Sequence, residues 1–352
     1  MPQSERGDAP AHRWPWGLVA GAGTVGVMLV GVGLLAVGMR DRMPPGRAAS
    51  PADISALPSG PLTSFDTPGL FTGPALGHRN AGDVAPSVVR IEGAGTGSGV
   101  IVRSDGIVLT SSQLVGSLPD VNVMFEDGTT QTATIRGTDP VTGLAVVDLP
   151  GDGFAAAHLV APDELAVGAT VLCAGVDDQG FTTAAGTLAK ALTHTTAPDG
   201  TPVDGVLQIT PQTTTYPKLQ GSAVVDGSGS VLALTTWTDS LSYYATPIDV
   251  AGKVADDLLD TGAARHGWIG IVGNDALGGG VSLTEVDPDG PAAESLQVDD
   301  VITELDGEKV PDMSTLVNLL QLGSPGDEVD VTYVRDGAAV ETTLELAPLP
   351  AG

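Results

Sequence analysis

The stretch LQITPQTTTYPKLQGSAVVDGSGSVLAL, Leu207 to Leu234, decides how the chain is read. It runs as a short apolar strand, a turn-rich loop, a strand of small residues and a glycine-punctuated hairpin, with Gly229 ahead of ValLeuAlaLeu (231–234). Its apolar runs are too short for helices and are bounded by Gly, Asp and Ser, so they predict β-strands. The same texture extends on the N-terminal side: SerValValArgIle (87–91), GlyValIleValArg (99–103), IleValLeuThr (107–110), ValAsnValMetPhe (121–125), ThrAlaThrIle (132–135), LeuAlaValValAspLeu (144–149) and ThrValLeuCysAla (170–174). Leu207 to Tyr244 adds four more strands. SerAspGly (104–106), GluAspGly (126–128) and GlyAspGly (151–153) supply turns. Strands at this spacing without intervening helices predict an antiparallel barrel or sandwich. Val250, Val254, Leu258 and Leu259 recur at helical spacing and predict one helix over 248–261.

Composition agrees: 42% of residues are apolar but only 4% aromatic, with 48 Gly and 26 Pro, as expected for short strands around a Val/Ala/Leu core. The formal charge of -28 is unevenly spread. Five Arg in residues 1–47 outnumber Glu5, Asp8 and Asp41, so the remainder is strongly acidic. Such a surface repels nucleic-acid phosphates, which excludes nucleic acid as a partner. Cys173, the only cysteine, lies in an apolar strand-like setting and is expected to be a buried small hydrophobe. No cofactor or metal is expected.

Gly17 to Met39 is a run of 23 residues without a charge. As a helix it spans roughly 34 Å, enough for a hydrocarbon core of about 30 Å. It is longer than the apolar core of a cleaved signal peptide, and Trp14 and Trp16 sit where an interfacial belt lies. The expectation is a retained signal anchor at 17–39, with residues 1–16 cytoplasmic and the folded domains outside the cytoplasm. Residues 40–84, rich in Pro, Ala, Gly and Ser, read as a tether.

Residues 86 to 270 resemble the HtrA family of trypsin-like serine proteases. GlyThrGlySerGlyValIleVal (95–102) and AspGlyIleValLeuThr (105–110) match its opening hairpin, ThrAspProValThrGlyLeuAlaValVal (138–147) its aspartate motif, and AlaThrProIleAspVal (245–250) its barrel-closing strand. HisGlyTrpIleGlyIle (266–271) matches the entry into a PDZ domain. The fold implied is mainly β: a trypsin-like double β-barrel over 85–263, then an α+β PDZ domain over 264–348.

Serine proteolysis needs a hydroxyl nucleophile, an imidazole that takes its proton and a carboxylate that orients the imidazole. By the resemblance, Gln113 stands at the histidine position of the motif T-N-A-H-V-V, here ThrSerSerGlnLeuVal (110–115). Gly143 stands at the aspartate position. Gly229 anchors the turn nine residues after the nucleophile and so places Gln220 there, after a two-residue insertion in the loop carrying Thr213 to Lys218. A carboxamide does not shuttle a proton near neutral pH. The alternative nucleophile is Ser222, yet none of the five histidines (His12, His78, His158, His194, His266) is placed to serve it, and a dyad with Lys218 rests only on closeness in sequence.

The PDZ part shows strand GlyTrpIleGlyIle (267–271), strand ValSerLeuThrGluVal (281–286), ValIleThrGluLeuAspGly (301–307), a helix over 312–322, hairpin 329–337 and ThrThrLeuGluLeu (342–346). Ser295 and Asp299 replace family glycines. PDZ domains take a C-terminal peptide as an added strand, its carboxylate held by loop N–H groups. The resemblance assigns that loop to Trp268, Ile269, Gly270 and Ile271, and the groove wall to Leu316, Leu319 or Leu320. The function expected is a membrane-anchored, HtrA-like pseudoprotease, not an enzyme, that binds peptide or protein C-termini and associates with itself or with an active relative. The alternative is an active envelope endopeptidase with a shifted residue set.

Overall fold

The computed structural model describes residues 81–162, 166–196, 202–212, 219–239 and 241–350. The span expected at 17–39, nearly all of the tether and loop 213–218 lie outside them. Among the described residues no helix is long and apolar enough to cross a membrane. Ala81–Ser87 forms a 3-10 helix whose Val84 is buried, so the folded part reaches back past the boundary expected at 85.

Six strands, β1 (Val88–Glu92), β2 (Thr96–Ile101), β3 (Ile107–Ser111), β4 (Asp120–Met124), β5 (Thr130–Asp139) and β6 (Leu144–Asp148), close a first barrel in the order β1-β2-β3-β6-β5-β4. The one-turn helix α1 (Ser112–Val115) follows β3. A second barrel is built from β7 (Thr170–Asp177), β8 (Gly180–Thr196), β9 (Pro202–Pro211), β10 (Ala223–Val225), β11 (Val231–Thr238) and β12 (Tyr243–Pro247), in the order β10-β11-β12-β9-β8-β7. Helix α2 (Ile248–Thr261) then covers both, on the residues that its spacing predicts.

Side-chain alternation explains why two barrels form and stay joined. In β3, Ile107 and Leu109 enter a core shared by the two barrels and α2, while Val108 lies inside the first barrel. Leu144 and Val146 of β6 join the shared core, and Ala145 and Val147 the barrel interior. In β10, Ala223 and Val225 face the shared core and Val224 the second barrel's interior. A strand buried on both faces needs an unbroken apolar run, which is what these segments carry. Strand β8 is the one that the sequence does not announce. Its GlyPheThrThrAlaAlaGlyThr (180–187) is Ala- and Thr-rich with no apolar run, and its pairing with β9 shifts register repeatedly. Cys173 is fully buried in the second barrel, and burial pushes its thiol up to about 12, which leaves it unreactive.

The C-terminal domain comprises β13 (Gly267–Trp268), β14 (Ile271–Asp275), β15 (Val281–Val286), β16 (Val301–Leu305), β17 (Glu308–Lys309), α3 (Met313–Leu322), β18 (Glu328–Arg335), β19 (Ala338–Glu345) and β20 (Ala347–Pro348). Its main sheet runs β14-β15-β16-β18-β19, with β17 beside β16 and β13 paired to β20. Asp312 caps α3 by accepting from the Thr315 N–H at 2.8 Å. Asp299 has φ 74°, the left-handed conformation that explains why a glycine suits this position.

The barrels come into backbone contact at the turn before β10. The Ser98 N–H donates to the Gln220 carbonyl at 2.8 Å, and the Gly221 N–H to the Thr235 carbonyl at 2.7 Å. Gly221 has φ 76°, and a Cβ there falls 1.9 Å from the Ser98 carbonyl oxygen. Gly221→Ala is therefore expected to cost about 3 kcal/mol, from overpacking plus left-handed strain, read as a lower midpoint in urea unfolding.

Candidate functional site

Two of the three residues assigned to triad positions come together. Gln220, half-buried in the turn before β10, places its Nε2 2.7 Å from Gln113 Oε1, 3.1 Å from Ser111 Oγ and 3.3 Å from the Thr236 carbonyl. Ser111 is fully buried and donates to the same Thr236 carbonyl at 3.0 Å, while accepting from the Gln113 N–H at the start of α1. The two carboxamides thus bridge the first barrel (Ser111, Gln113) to the second (Gln220, Thr236).

Gly143 lies beside this pair and joins it through its backbone. Its carbonyl accepts from the Ser112 N–H at 2.8 Å, and its φ is 72°. A Cβ at this position falls 2.2 Å from the Trp237 ring, so the indole occupies the space of any side chain. Trp237 was not singled out by sequence reasoning, because it lies 94 positions away and only the fold brings it over the turn. Ser222 is fully buried, and its hydroxyl donates to Thr235 Oγ1 at 3.1 Å. Neither Gln220 nor Ser222 has a histidine among its hydrogen-bond partners in the described residues. His158 pairs with Ser230, exposed His194 with Asp204, and His266 with Asp139. Lys218 and the inserted loop lie outside the described residues.

The His266–Asp139 pair is the second finding that the sequence did not reveal. Asp139, in the aspartate motif, is 3.0 Å from His266 Nε2, and both side chains are buried. Asp139 also accepts from the Thr142 hydroxyl and from the N–H groups of Val141 and Thr142. His266 Nδ1 is buried without a partner among the described residues. Beside it, Asp257 of α2 accepts from Lys253 Nζ at 2.8 Å and from Arg265 Nη2 at 2.6 Å. Together these ion pairs fasten the barrel unit to the entry of the C-terminal domain.

In that domain the loop Trp268 to Ile271 has an ordered but half-open hydrogen-bond pattern. The Ile269 carbonyl accepts from the Ala292 N–H at 3.0 Å, and the Gly270 carbonyl from the Asp287 N–H at 2.8 Å. The N–H groups of Ile269 and Gly270 meet no acceptor among the described residues. Gly270 has φ 81°, and a Cβ there falls 2.8 Å from the Gly290 Cα. Strand β14 ends the sheet and pairs with β15 alone, leaving one edge open. The expected groove leucines need correction. Leu316 is fully buried and Leu320 nearly so, both in the domain core, and Leu319 packs against it half-buried.

Residues 97–234 match the family model of the trypsin-like peptidase domain, and residues 265–346 that of the PDZ domain. The chain thus joins a trypsin-like peptidase domain to a PDZ domain. It is 29% identical over 275 residues to a probable periplasmic serine endoprotease DegP-like of Halomonas elongata, a match covering 72% of this chain and 56% of that one. This chain therefore spans little more than half the length of that relative. It is 28% identical to the serine protease PepD of Mycobacterium tuberculosis, covering 94% of this chain and 77% of the relative. The HtrA-type protease AlgW with tripeptide superposes with a TM-score of 0.60 at 24% identity, over 78% of this chain and 97% of that one. The expectation that this chain is not an enzyme is corrected by this kinship. The relatives are named a probable serine endoprotease and a serine protease, so the carboxamides at positions 113 and 220 do not by themselves establish a non-enzyme.

The Asp139–His266 pair predicts a pH dependence. Burial alone would push the Asp139 carboxyl up, but the hydrogen bond and charge of His266, with the Thr142 and Val141 donors, hold it below its ordinary value. A depressed carboxyl contributes stability that is present above its unfolded pKa of about 3.9 and is lost as pH falls through the lower folded value. The difference in unfolding free energy between wild type and Asp139→Asn is expected to shrink as pH falls below about 4. Urea unfolding at pH 3 to 7 measures it, and a pH-independent difference would contradict it.

Proposed function

We propose that this chain is an extracytoplasmic HtrA-type serine endopeptidase homologue that captures polypeptide C-termini with its PDZ domain and receives extended polypeptide at the cleft between its barrels. The observation that carries the capture step is the pair of unpartnered N–H groups at Ile269 and Gly270, in a loop whose carbonyls are tied back. A terminal carboxylate accepts from such a pair, and the ligand's main chain continues along the open edge of β14. Gly270 is required there because its φ of 81° and the nearby Gly290 leave no place for a side chain. The periplasmic relative supports a location outside the cytoplasm, and the apolar run Gly17 to Met39 supports a membrane tether.

The relatives' names support hydrolysis as the activity. With Gln113, Gly143 and Gln220 assigned by resemblance to the triad positions, hydrolysis has to use another hydroxyl, and Ser222, which follows Gly221, lies two residues from the nucleophile position. Its Oγ is bonded to Thr235 and buried, so attack on a substrate requires the turn around Gly221 to open.

Two measurements on the full chain test these steps separately. Fluorescent peptides with a free C-terminus are expected to bind, amidated copies to bind the PDZ groove at least tenfold more weakly, and Gly270→Val to abolish the difference. Equal binding of free and amidated ends in the wild type removes the capture reading. For hydrolysis, a fluorophosphonate probe is expected to label the wild type and not Ser222→Ala. An unlabelled wild type, or label that persists in Ser222→Ala, rules out Ser222.

A further inference from the structure

The paired carboxamides leave a specific set of groups unused. The Thr236 carbonyl can only accept, so the Gln220 atom 3.3 Å from it is the amide nitrogen, and the Gln113 atom that meets this nitrogen is the carbonyl oxygen. Gln220 Oε1 and Gln113 Nε2 remain, and neither has a hydrogen-bond partner among the described residues. One is an acceptor and the other a donor, on adjacent side chains at the junction of the two barrels. Gln113 is exposed and Gln220 half-buried, so both are open to a ligand from solvent.

We propose that Gln113 and Gln220 form a reader of polypeptide main chain. The N–H of one ligand peptide group donates to Gln220 Oε1, and a ligand carbonyl accepts from Gln113 Nε2. The ligand class is unfolded or extended polypeptide without side-chain or end-group preference, because a peptide group presents one donor and one acceptor at every residue. The pair is suited to this task for three reasons. It is uncharged, so it does not discriminate by ligand charge on a chain of formal charge -28. Its Gln220 arm is braced by the buried Ser111 hydroxyl and by the backbone bond from Ser98 to Gln220, so little side-chain freedom is lost on binding. Its groups come from both barrels, so binding engages the junction itself.

This inference rests on reading the cleft as a polypeptide site, but its test bypasses the PDZ domain. The probe is a fluorescein-labelled, C-terminally amidated 20-residue peptide of Ser, Thr, Val and Lys, titrated into the full chain and read by anisotropy. A labelled oligosarcosine of equal length, which lacks main-chain N–H groups, is the control. Expected results are saturable binding of the peptide, none of the oligosarcosine, and about tenfold weaker binding in Gln113→Glu, the weight of one hydrogen bond. Gln113→Glu keeps an acceptor for Gln220 Nε2 and loses only the free donor, so its thermal midpoint should equal the wild type's. Gln220→Ala should weaken binding further. Absence of binding to the amidated peptide, equal binding of oligosarcosine, or an unchanged affinity in both glutamine variants would overturn the proposal. Failure of free-end discrimination alone overturns PDZ capture and leaves the glutamine reader standing.

Discussion

The backbone contact between the barrels, where Ser98 meets Gln220 and Gly221, is the constraint on which the rest of the structure depends. A side chain at position 221 would enter the Ser98 carbonyl, so a glycine with positive φ is the only residue that fits without movement. That contact fixes Gln220 by its own carbonyl and sets its side chain against Ser111 and Thr236. The same strand continues into β10, whose residues alternate between the shared core and the second barrel's interior. Backbone proximity and strand alternation therefore place the junction of the barrels before any side-chain chemistry is considered.

Two sets of buried polar groups have different roles. At the junction of the barrels they are neutral: the buried Ser111 hydroxyl, which meets the Gln220 carboxamide, and the Thr236 and Thr246 hydroxyls 3.1 Å apart, with Thr246 donating to the Thr142 carbonyl. At the junction with the PDZ domain they are charged or chargeable: Asp139 with His266, and Asp257 with Lys253 and Arg265. Neutral networks hold geometry with little dependence on pH, whereas charged ones link domain attachment to protonation. The peptidase and PDZ units thus have charged pairs at their junction, beside the neutral Asn318 and Gln321 of α3 that lie against Gly205 of β9.

Much of the fold was legible because local patterns carry it. Continuous apolar runs at 107–110 and 144–149 marked strands buried on both faces, helical spacing gave α2 to the residue, and Asp-Gly turns marked the hairpins. Strand β8 was not legible, since its Ala and Thr positions owe their burial to β7 and β9 and not to any apolar run of their own. The groove leucines misled for the opposite reason: helical spacing shows that Leu316 and Leu320 share a face and not which neighbour that face meets. Kinship with a probable serine endoprotease and a serine protease corrected the inference from lost side chains to lost activity, which residue identity at three positions could not settle.

By itself the sequence determined the double-barrel and PDZ architecture, the glycine turns and the identities of Gln113, Gly143 and Gln220. The strands and turns follow from periodicity and turn chemistry, which are local, whereas the double barrel, the PDZ domain and the triad positions came through the resemblance of its motifs to the HtrA family. Only the tertiary structure decided that Gln113 and Gln220 touch, that Trp237 fills the space over Gly143, and that His266 finds Asp139 across 127 residues. Such contacts depend on how closed barrels bring distant strands together, and no spacing along the chain encodes a distance between residues that far apart.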